Sequence, residues 1–504
     1  MLPGSEGGLL PFWSPDSHSI GFFVGGKLKR IDTDGKLLQT LCDAQDARGG
    51  AWSPNGTILF ASDRYSALYQ IPASGGTPRQ VTEINASRDE QSHRWPFFLA
   101  DGRHFLFFIR SEQQPEVTGI YAGSLDSKDY HPVVKATLGP AFEAGGTILY
   151  VRDDVVVAQP FDERKLATAG EPVALPDHVG GNPAFSRASF SVSRTGVLLY
   201  SPAPPGGPFV LAWYDRDGKR SDPLDTGYFY HPSLSPDGTQ AVVPIVSSDG
   251  LSVDLWSFDL GRGTKTRLTS GPGYKLDAVW QPDGRFLLFD SASKDWPHIY
   301  RIKSGGMGMP EPVLESNGVT EAPWSICRDG RYLAYVRSTK DSQPAVWILP
   351  LTGDRKPFAL VQSQFMHLEP AFSPDCKWVV YTSNETGQGE VYITHFPDAA
   401  RRYRVSTQGG FAPHWRGDGK ELFYFSFSQN SVMAVNVDEK AEEISLGPPR
   451  ALFRLATQVI AAATGRAFDV TADGRRFLIV EANSPHSTVP LTLVTNWDAE
   501  LKKR

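Results

Sequence analysis

The stretch His231-Pro232-Ser233-Leu234-Ser235-Pro236-Asp237-Gly238, followed by Thr239-Gln240-Ala241-Val242-Val243-Pro244-Ile245, decides the fold. It reads as a short strand, a tight turn and a second strand. Ser suits the first position of a type I turn, Pro presets φ at the second, Asp tolerates the third, and Gly supplies a positive φ at the fourth. Hairpins closed this way are common, so one copy decides little. The pattern recurs, however, as Trp13-Ser14-Pro15-Asp16, Trp52-Ser53-Pro54-Asn55-Gly56, Phe98-Leu99-Ala100-Asp101-Gly102, Trp280-Gln281-Pro282-Asp283-Gly284, Ile326-Cys327-Arg328-Asp329-Gly330, Phe372-Ser373-Pro374-Asp375-Cys376, Trp415-Arg416-Gly417-Asp418-Gly419 and Val470-Thr471-Ala472-Asp473-Gly474. Weaker copies sit at Phe142–Gly146 and Val192–Gly196. The turn positions 16, 55, 101, 145, 195, 237, 283, 329, 375, 418 and 473 are 39 to 55 residues apart, with three consecutive gaps of 46.

Each copy carries more than a hairpin. An apolar run follows the turn, as in Phe105-Leu106-Phe107-Phe108, Phe286-Leu287-Leu288-Phe289 and Trp378-Val379-Val380-Tyr381. Consecutive rather than alternating apolar residues indicate a strand buried on both faces. A third strand with an early aromatic comes next (Leu68-Tyr69, Ile299-Tyr300, Val391-Tyr392), then a polar fourth strand such as Arg79-Gln80-Val81-Thr82 or Thr266-Arg267-Leu268-Thr269. Four antiparallel strands repeated at about 45 residues have the period of β-propeller blades. The sequence therefore predicts an all-β chain of about eleven four-stranded repeats. Eleven exceed the usual four to eight blades of one ring, so two tandem propellers are expected: residues 1–227 with five repeats and 228–504 with six. Repeat eleven shows three strands, ending near Leu491-Thr492-Leu493-Val494. Leu2-Pro3-Gly4-Ser5-Glu6-Gly7 reads as the end of a preceding repeat. Two readings stay open there: a truncated array, or an outer strand that closes a ring.

Composition bounds the function. The 504 residues are 40% hydrophobic and 21% charged, with 48 Gly, 39 Pro and 12% aromatics, which suits many short strands and turns. A formal charge of −6 offers no basic face for nucleic acid. No apolar run is long enough to span a membrane, and Met1–Ser5 lacks the basic start and apolar core of an export signal. Cys42, Cys327 and Cys376 are far apart and are expected to form neither a disulfide framework nor a zinc site. No cofactor and no metal are expected.

The Trp/Phe-Ser-Pro-Asp-Gly turn, the apolar strand after it and the Ile-Tyr start of the third strand resemble the PD40, or WD40-like TolB-type, propeller repeat over nearly the whole chain. Pro11–Asp32, Ser92-His93-Arg94-Trp95-Pro96 and Val494-Thr495-Asn496-Trp497 before Leu501–Arg504 resemble more narrowly the propeller region of acidobacterial-type serine/threonine kinases. That resemblance implies a sensor or interaction module of bacterial signalling, periplasmic or extracellular when attached to a membrane-anchored kinase. The chain has no Gly-rich loop with a following Lys, no His-Arg-Asp loop and no Asp-Phe-Gly, so kinase activity does not carry over.

The recurring turn Asp is read as structural, because its carboxylate bonds local amides and catalysis needs a group once. Candidate ligand-binding residues precede the inner strands: His93, Arg94, His231, Asp277, Glu321, Glu369 and His414. In a propeller they lie near a mouth of the central channel, on loops held by a rigid scaffold. No Gly-x-Ser-x-Gly elbow or His-Glu-x-x-His is present. The expected function is non-catalytic binding of a protein, peptide or small ligand. The alternatives are a propeller-channel enzyme (lyase or hydrolase), which clustered histidines and carboxylates would favour, and a TolB-like envelope component.

Overall fold

The computed structural model describes residues 2–5, 7–111, 114–182, 185–193, 196–202, 209–247, 252–271, 273–292, 297–306, 308–314, 318–339, 342–440, 443–457, 466, 468–483, 491–495 and 497. Regular structure among them is strand, apart from short 3-10 turns such as Ala86–Arg88. No helix is long and apolar enough to cross a membrane.

The turns form as their residues dictate. Gly238 N donates to Ser235 O at 2.9 Å, and Ser235 N donates to Gln240 O at 2.9 Å. Asp237 Oδ1 accepts from Ser235 Oγ at 2.6 Å and Thr239 N at 3.1 Å, and these bonds hold its carboxyl below the usual range. The same closing bond recurs at Gly56, Gly102, Gly284, Gly330, Gly419 and Gly474. Cys376 fills that slot at φ 64°. The turn Asp is thus committed to the turn. Arg194 and Thr195, in the weakest copy, lie outside the described residues.

Strands following the turn are buried end to end, as Trp378–Ser383 and Glu421–Ser426 show. Neighbouring sheets bury these strands from both sides, which accounts for their consecutive apolar residues. The polar fourth strand carries a recurrent pin at its end. Thr82, Thr269 and Ser406 hydroxyls accept the backbone N–H of Leu68, Leu255 and Val391 in the third strand.

The chain divides into two units. The first contains four-stranded sheets over Leu9–Asp43, Gly50–Gln80 and Ser92–Val134, and a fourth over Leu138–His178. Its fifth sheet pairs Phe190–Val192 and Leu198–Tyr200 with Thr492–Val494. Apolar clusters join the first sheet to the second, second to third, third to fourth and fourth to fifth. Among the described residues no such cluster joins the fifth back to the first. There Leu9 and Trp13 are 65% and 59% exposed.

The second unit is a closed six-sheet propeller. Five sheets run in order over Ser233–Arg267, Gly273–Leu314, Val319–Val361, His367–Arg404 and Phe411–Arg454. The sixth joins the two ends of the unit: Phe468–Val470 and Arg476–Ala482 pair with Phe209–Asp215 and Asp225–Gly227. Six clusters link the six sheets, the last joining Leu211, Trp213, Leu478 and Val480 to Phe229, Ala241, Val243 and Phe258.

Three expectations are corrected. Residues 209–227 belong to the second unit, not the first, because Phe209–Asp215 fills the third-strand place of repeat eleven through seven paired positions with Arg476–Ala482. Thr492–Val494 is displaced from that place and pairs with Leu198–Tyr200 of the first unit. Leu2 to Ser5 form a turn, with Ser5 N on Leu2 O at 3.1 Å, rather than the end of a strand. A fourth correction concerns the cysteines. Cys327 and Cys376 form a disulfide with Cα atoms 5.6 Å apart. They lie in the turns of adjacent sheets, which the 46-residue repeat brings side by side. Cys42 is free.

Candidate functional site

Three innermost strands of the second unit share an irregularity in the same place. Pairing with the second strand slips between Leu276 and Val279, between Leu368 and Ala371, and between Phe411 and His414. Each slip is a β-bulge, which bends a strand and re-aims a side chain. The bulged residues Asp277, Glu369 and Ala412 have φ of 44°, 59° and 50°. Each lies six residues before its turn Asp equivalent (283, 375, 418), and His231 holds the same place before Asp237. Strained backbone at side chains other than Gly accompanies functional sites.

These strands enclose a cavity of about 850 Å³. Trp280, Trp324, Phe372 and Trp415 line it with prolines 282, 370, 374 and 413, and its polar groups include Glu369, His414, Arg466 and Asp469. The indoles of Trp280 and Trp415 donate to Ser233 O at 3.0 Å and Ala371 O at 3.3 Å, tying neighbouring sheets together.

His231 Nε2–H donates to Asp277 Oδ1 at 2.7 Å, while His231 Nδ1 has no partner among the described residues. Asp469 accepts Leu234 N at 2.7 Å and Val470 N at 2.7 Å, and lies 3.4 Å from His414 Nδ1. Burial pushes His414 below the usual imidazole range, outweighing the neighbouring Asp469 charge, so the ring is neutral. Glu369 Oε2 accepts from Thr382 Oγ1 at 2.5 Å and Ala412 N at 2.6 Å, but its buried Oε1 has no partner among the described residues. Burial raises Glu369 to about 7. Asp290, in the second strand behind Asp277, is raised well above the carboxylate range by burial and then by the Asp277 charge. Arg466 is buried among these carboxylates. It donates to Ala278 O at 3.3 Å, Pro323 O at 3.5 Å and Trp324 O at 2.5 Å, with its guanidinium 4.3 Å from the Trp324 ring centre.

Four of the seven candidates, His231, Asp277, Glu369 and His414, are therefore brought together. Glu321 is in the same unit but belongs to a different register, eight residues before Asp329. It lies fully buried, 3.7 Å from Arg337 Nε and 4.0 Å from His298 Nδ1. His93 and Arg94 are in the first unit. His93 is in the Glu321 register and fully buried; its Nδ1 meets Thr82 Oγ1 at 2.7 Å and its Nε2–H donates to Glu90 at 3.1 Å. That network belongs to the strand-end pin. Arg94 donates to Ser92 Oγ at 2.6 Å, Arg64 O at 3.0 Å and Phe185 O at 3.2 Å.

Sequence reasoning missed Asp290, Arg466 and Asp469. Asp469 stands four residues before Asp473, as His414 stands four before Asp418. Arg466 stands seven before Asp473, as Arg94 stands seven before Asp101. Asp290 ends the apolar run Phe286–Phe289, where a carboxylate in a doubly buried strand is itself a signal.

No protein-family model matches the chain. It is 23% identical over 231 residues to an uncharacterised protein of Agrobacterium fabrum strain C58, spanning 32% of this chain and 78% of that protein. It is 25% identical over 203 residues to an uncharacterised peptidase, YuxL, of Bacillus subtilis, spanning 32% of this chain and 31% of that one. Over 94 residues it is 30% identical to the Tol-Pal system protein TolB of Helicobacter pylori, spanning 17% of this chain and 22% of TolB. The chain thus spans less than a third of the latter two relatives. Among solved structures, a TolB from Acinetobacter baumannii superimposes with a TM-score of 0.38 at 14% identity, over 77% of this chain and 79% of that one. An oligogalacturonate lyase in complex with manganese superimposes with a TM-score of 0.35 at 14% identity, over 59% and 97%. Over those 94 residues the repeats are similar to TolB; the closed ring is established by its strand pairing.

Proposed function

We propose that this chain is a non-catalytic binding scaffold whose second unit takes part of a protein, peptide or small ligand into its channel. One observation carries the reading: a cavity of about 850 Å³, walled by tryptophans and prolines, has among its lining residues a buried glutamate, Glu369, with one oxygen unpartnered among the described residues. Concave sites with convergent polar groups among apolar side chains are the usual form of ligand pockets. The closed ring holds those groups on strands rather than on loops. A sensor or interaction role in a bacterial envelope or signalling system is supported by the resemblance of the repeats. The Cys327–Cys376 bridge supports an oxidising compartment.

The two histidine–carboxylate pairs favour a second reading, a channel enzyme in which His231, oriented by Asp277, acts as a base. His231 is 2% exposed and lies outside the cavity lining, which is why binding is preferred. The test is native mass spectrometry of the full chain against peptide and metabolite libraries, with product analysis of the same mixtures. Binding reads as a ligand adduct lost in Trp415→Ala and no product. Turnover abolished by His231→Gln would replace the binding reading with the enzyme.

A further inference from the structure

We infer that the group received by the second unit's channel is a cation, an ammonium or guanidinium head carried by a basic side chain of a polypeptide or by a free amine. The inference rests on the binding reading and adds the chemistry of what binds.

Charge is the first ground. Asp277, Glu369 and Asp469 interact electrostatically with one buried cation, Arg466, while Asp290 keeps its proton. Ionised buried acids in excess of one base are costly until another positive charge arrives. Arg466 does not meet that need by contact, because its described donors go to the carbonyls of Ala278, Pro323 and Trp324. The glutarate probe below tests the opposite possibility, because Arg466 lines the cavity and its three described bonds leave further N–H donors for an anion.

The second ground is Glu369. It is 2% exposed, lines the cavity, and keeps Oε1 without a partner while Oε2 accepts two bonds. Oε1 is shut off from solvent in the present side-chain position, so a donor in the cavity meets it once the Glu369 side chain turns toward the donor. The third ground is the wall. Trp280, Phe372 and Trp415 line the same cavity as Glu369, and aromatic surface attracts ammonium and guanidinium groups. Arg466 over Trp324 already displays this pairing in the same channel.

The proton on Glu369 gives the inference a second readout. Burial raises this group, the bonds from Thr382 and Ala412 N and the Arg466 charge oppose that, and the Asp277 charge adds to it. A cation binding against the ionised form must displace a proton at neutral pH, so affinity rises with pH.

The experiment is isothermal titration of the full chain with three probes: agmatine, the end-blocked peptide Gly-Gly-Arg-Gly-Gly, and glutarate as an anion. Each is run at pH 5.5 and 8 on the wild type, Glu369→Gln and Glu369→Asp, with the fold of each variant checked by circular dichroism. The expected result is binding of a cationic probe, at least tenfold tighter at pH 8. It should be weakened tenfold or more in Glu369→Gln, partly restored in Glu369→Asp, and unmatched by glutarate. Binding of both cations assigns recognition to the head group alone; binding of the peptide alone assigns it to a basic side chain on a polypeptide. Glutarate binding without either cation overturns the cationic inference and leaves the binding reading standing. Cation binding unaltered in Glu369→Gln, or no cation binding at either pH, overturns the inference; the library experiment judges the binding reading separately.

Discussion

The two units put different chemistry on one backbone device. Six residues before the turn Asp equivalent, the first unit has Leu10, Gly49 and Trp95, and the second has His231, Asp277 and Glu369 beside the apolar Pro323 and Ala412. Leu10 and Trp95 share the positive φ of Asp277 and Glu369, at 52° and 53°. One residue earlier the units agree in part: Arg48 and Arg94 in the first and Arg466 in the second all donate to backbone carbonyls. The bulge is therefore a property of the repeat, and the residue aimed by it is free to differ. Fold alone does not specify function; the residues at one register do. The units differ also in closure. The second buries an apolar cluster at each of six junctions, whereas the first leaves Leu9 and Trp13 exposed.

That contrast can be broken most forcefully at the closing junction. Leu211→Ala empties a fully buried site between the sixth and first sheets of the second unit. It should cost about 2–5 kcal/mol, read by urea denaturation, with hydrogen exchange accelerated in all six sheets. Acceleration confined to 209–227 would show that the ring does not act as one cooperative body.

The disulfide comes next. Cys327→Ala with Cys376→Ala should lower the stability of the second unit by about 2–4 kcal/mol and leave the first unchanged, as two calorimetric transitions would reveal.

The bulged glutamate predicts a pH effect of similar size. Its folded value of about 7 lies above its ordinary 4.5, so the folded state holds the proton more tightly. The stability it contributes is full below pH 4.5 and is lost as pH rises through 7, by roughly 3 kcal/mol for a shift of this size. Glu369→Gln should remove that loss in melts taken from pH 5 to 8. His367, two residues earlier, has the opposite sign: burial holds it down at about 4, so its contribution disappears as pH falls from 6.5 through 4. A wild type that gains stability from pH 5 to 8 relative to Glu369→Gln would contradict the assignment.

Much of this was legible in the sequence, and the gaps have physical causes. The Ser-Pro-Asp-Gly turns and doubly apolar strands specify a local hairpin and two-faced burial, so sheet count and class follow from them. Ring closure does not follow, because Phe209–Asp215 looks the same whether it pairs with the strand before it or with Arg476–Ala482. The cysteines were misread because separation along the chain hides the lateral contact of neighbouring turns. Glu369, Asp277 and His231 were visible as polar residues before inner strands. Separating them from His93 and Glu321 required the bulge, whose register decides which side chain faces the channel. Asn496 and Leu501–Arg504, part of the kinase-type resemblance, lie outside the described residues.

The smallest effects sharpen the distinction between turn and site. Asp237→Ala should cost less than about 1 kcal/mol and leave ligand binding unchanged, since its carboxylate serves Ser235 and Thr239. Leu493→Ser, on a strand residue 60% exposed in the first unit, should fall within about 0.5 kcal/mol of wild type.

The most direct measurement is amide hydrogen exchange of the full chain with and without its bound ligand. The account predicts protection centred on 273–280, 367–372 and 411–415, the strands that carry Asp277, Glu369 and His414, with 92–98 unchanged. Protection centred on 92–98, or absent from all three channel strands, would contradict it.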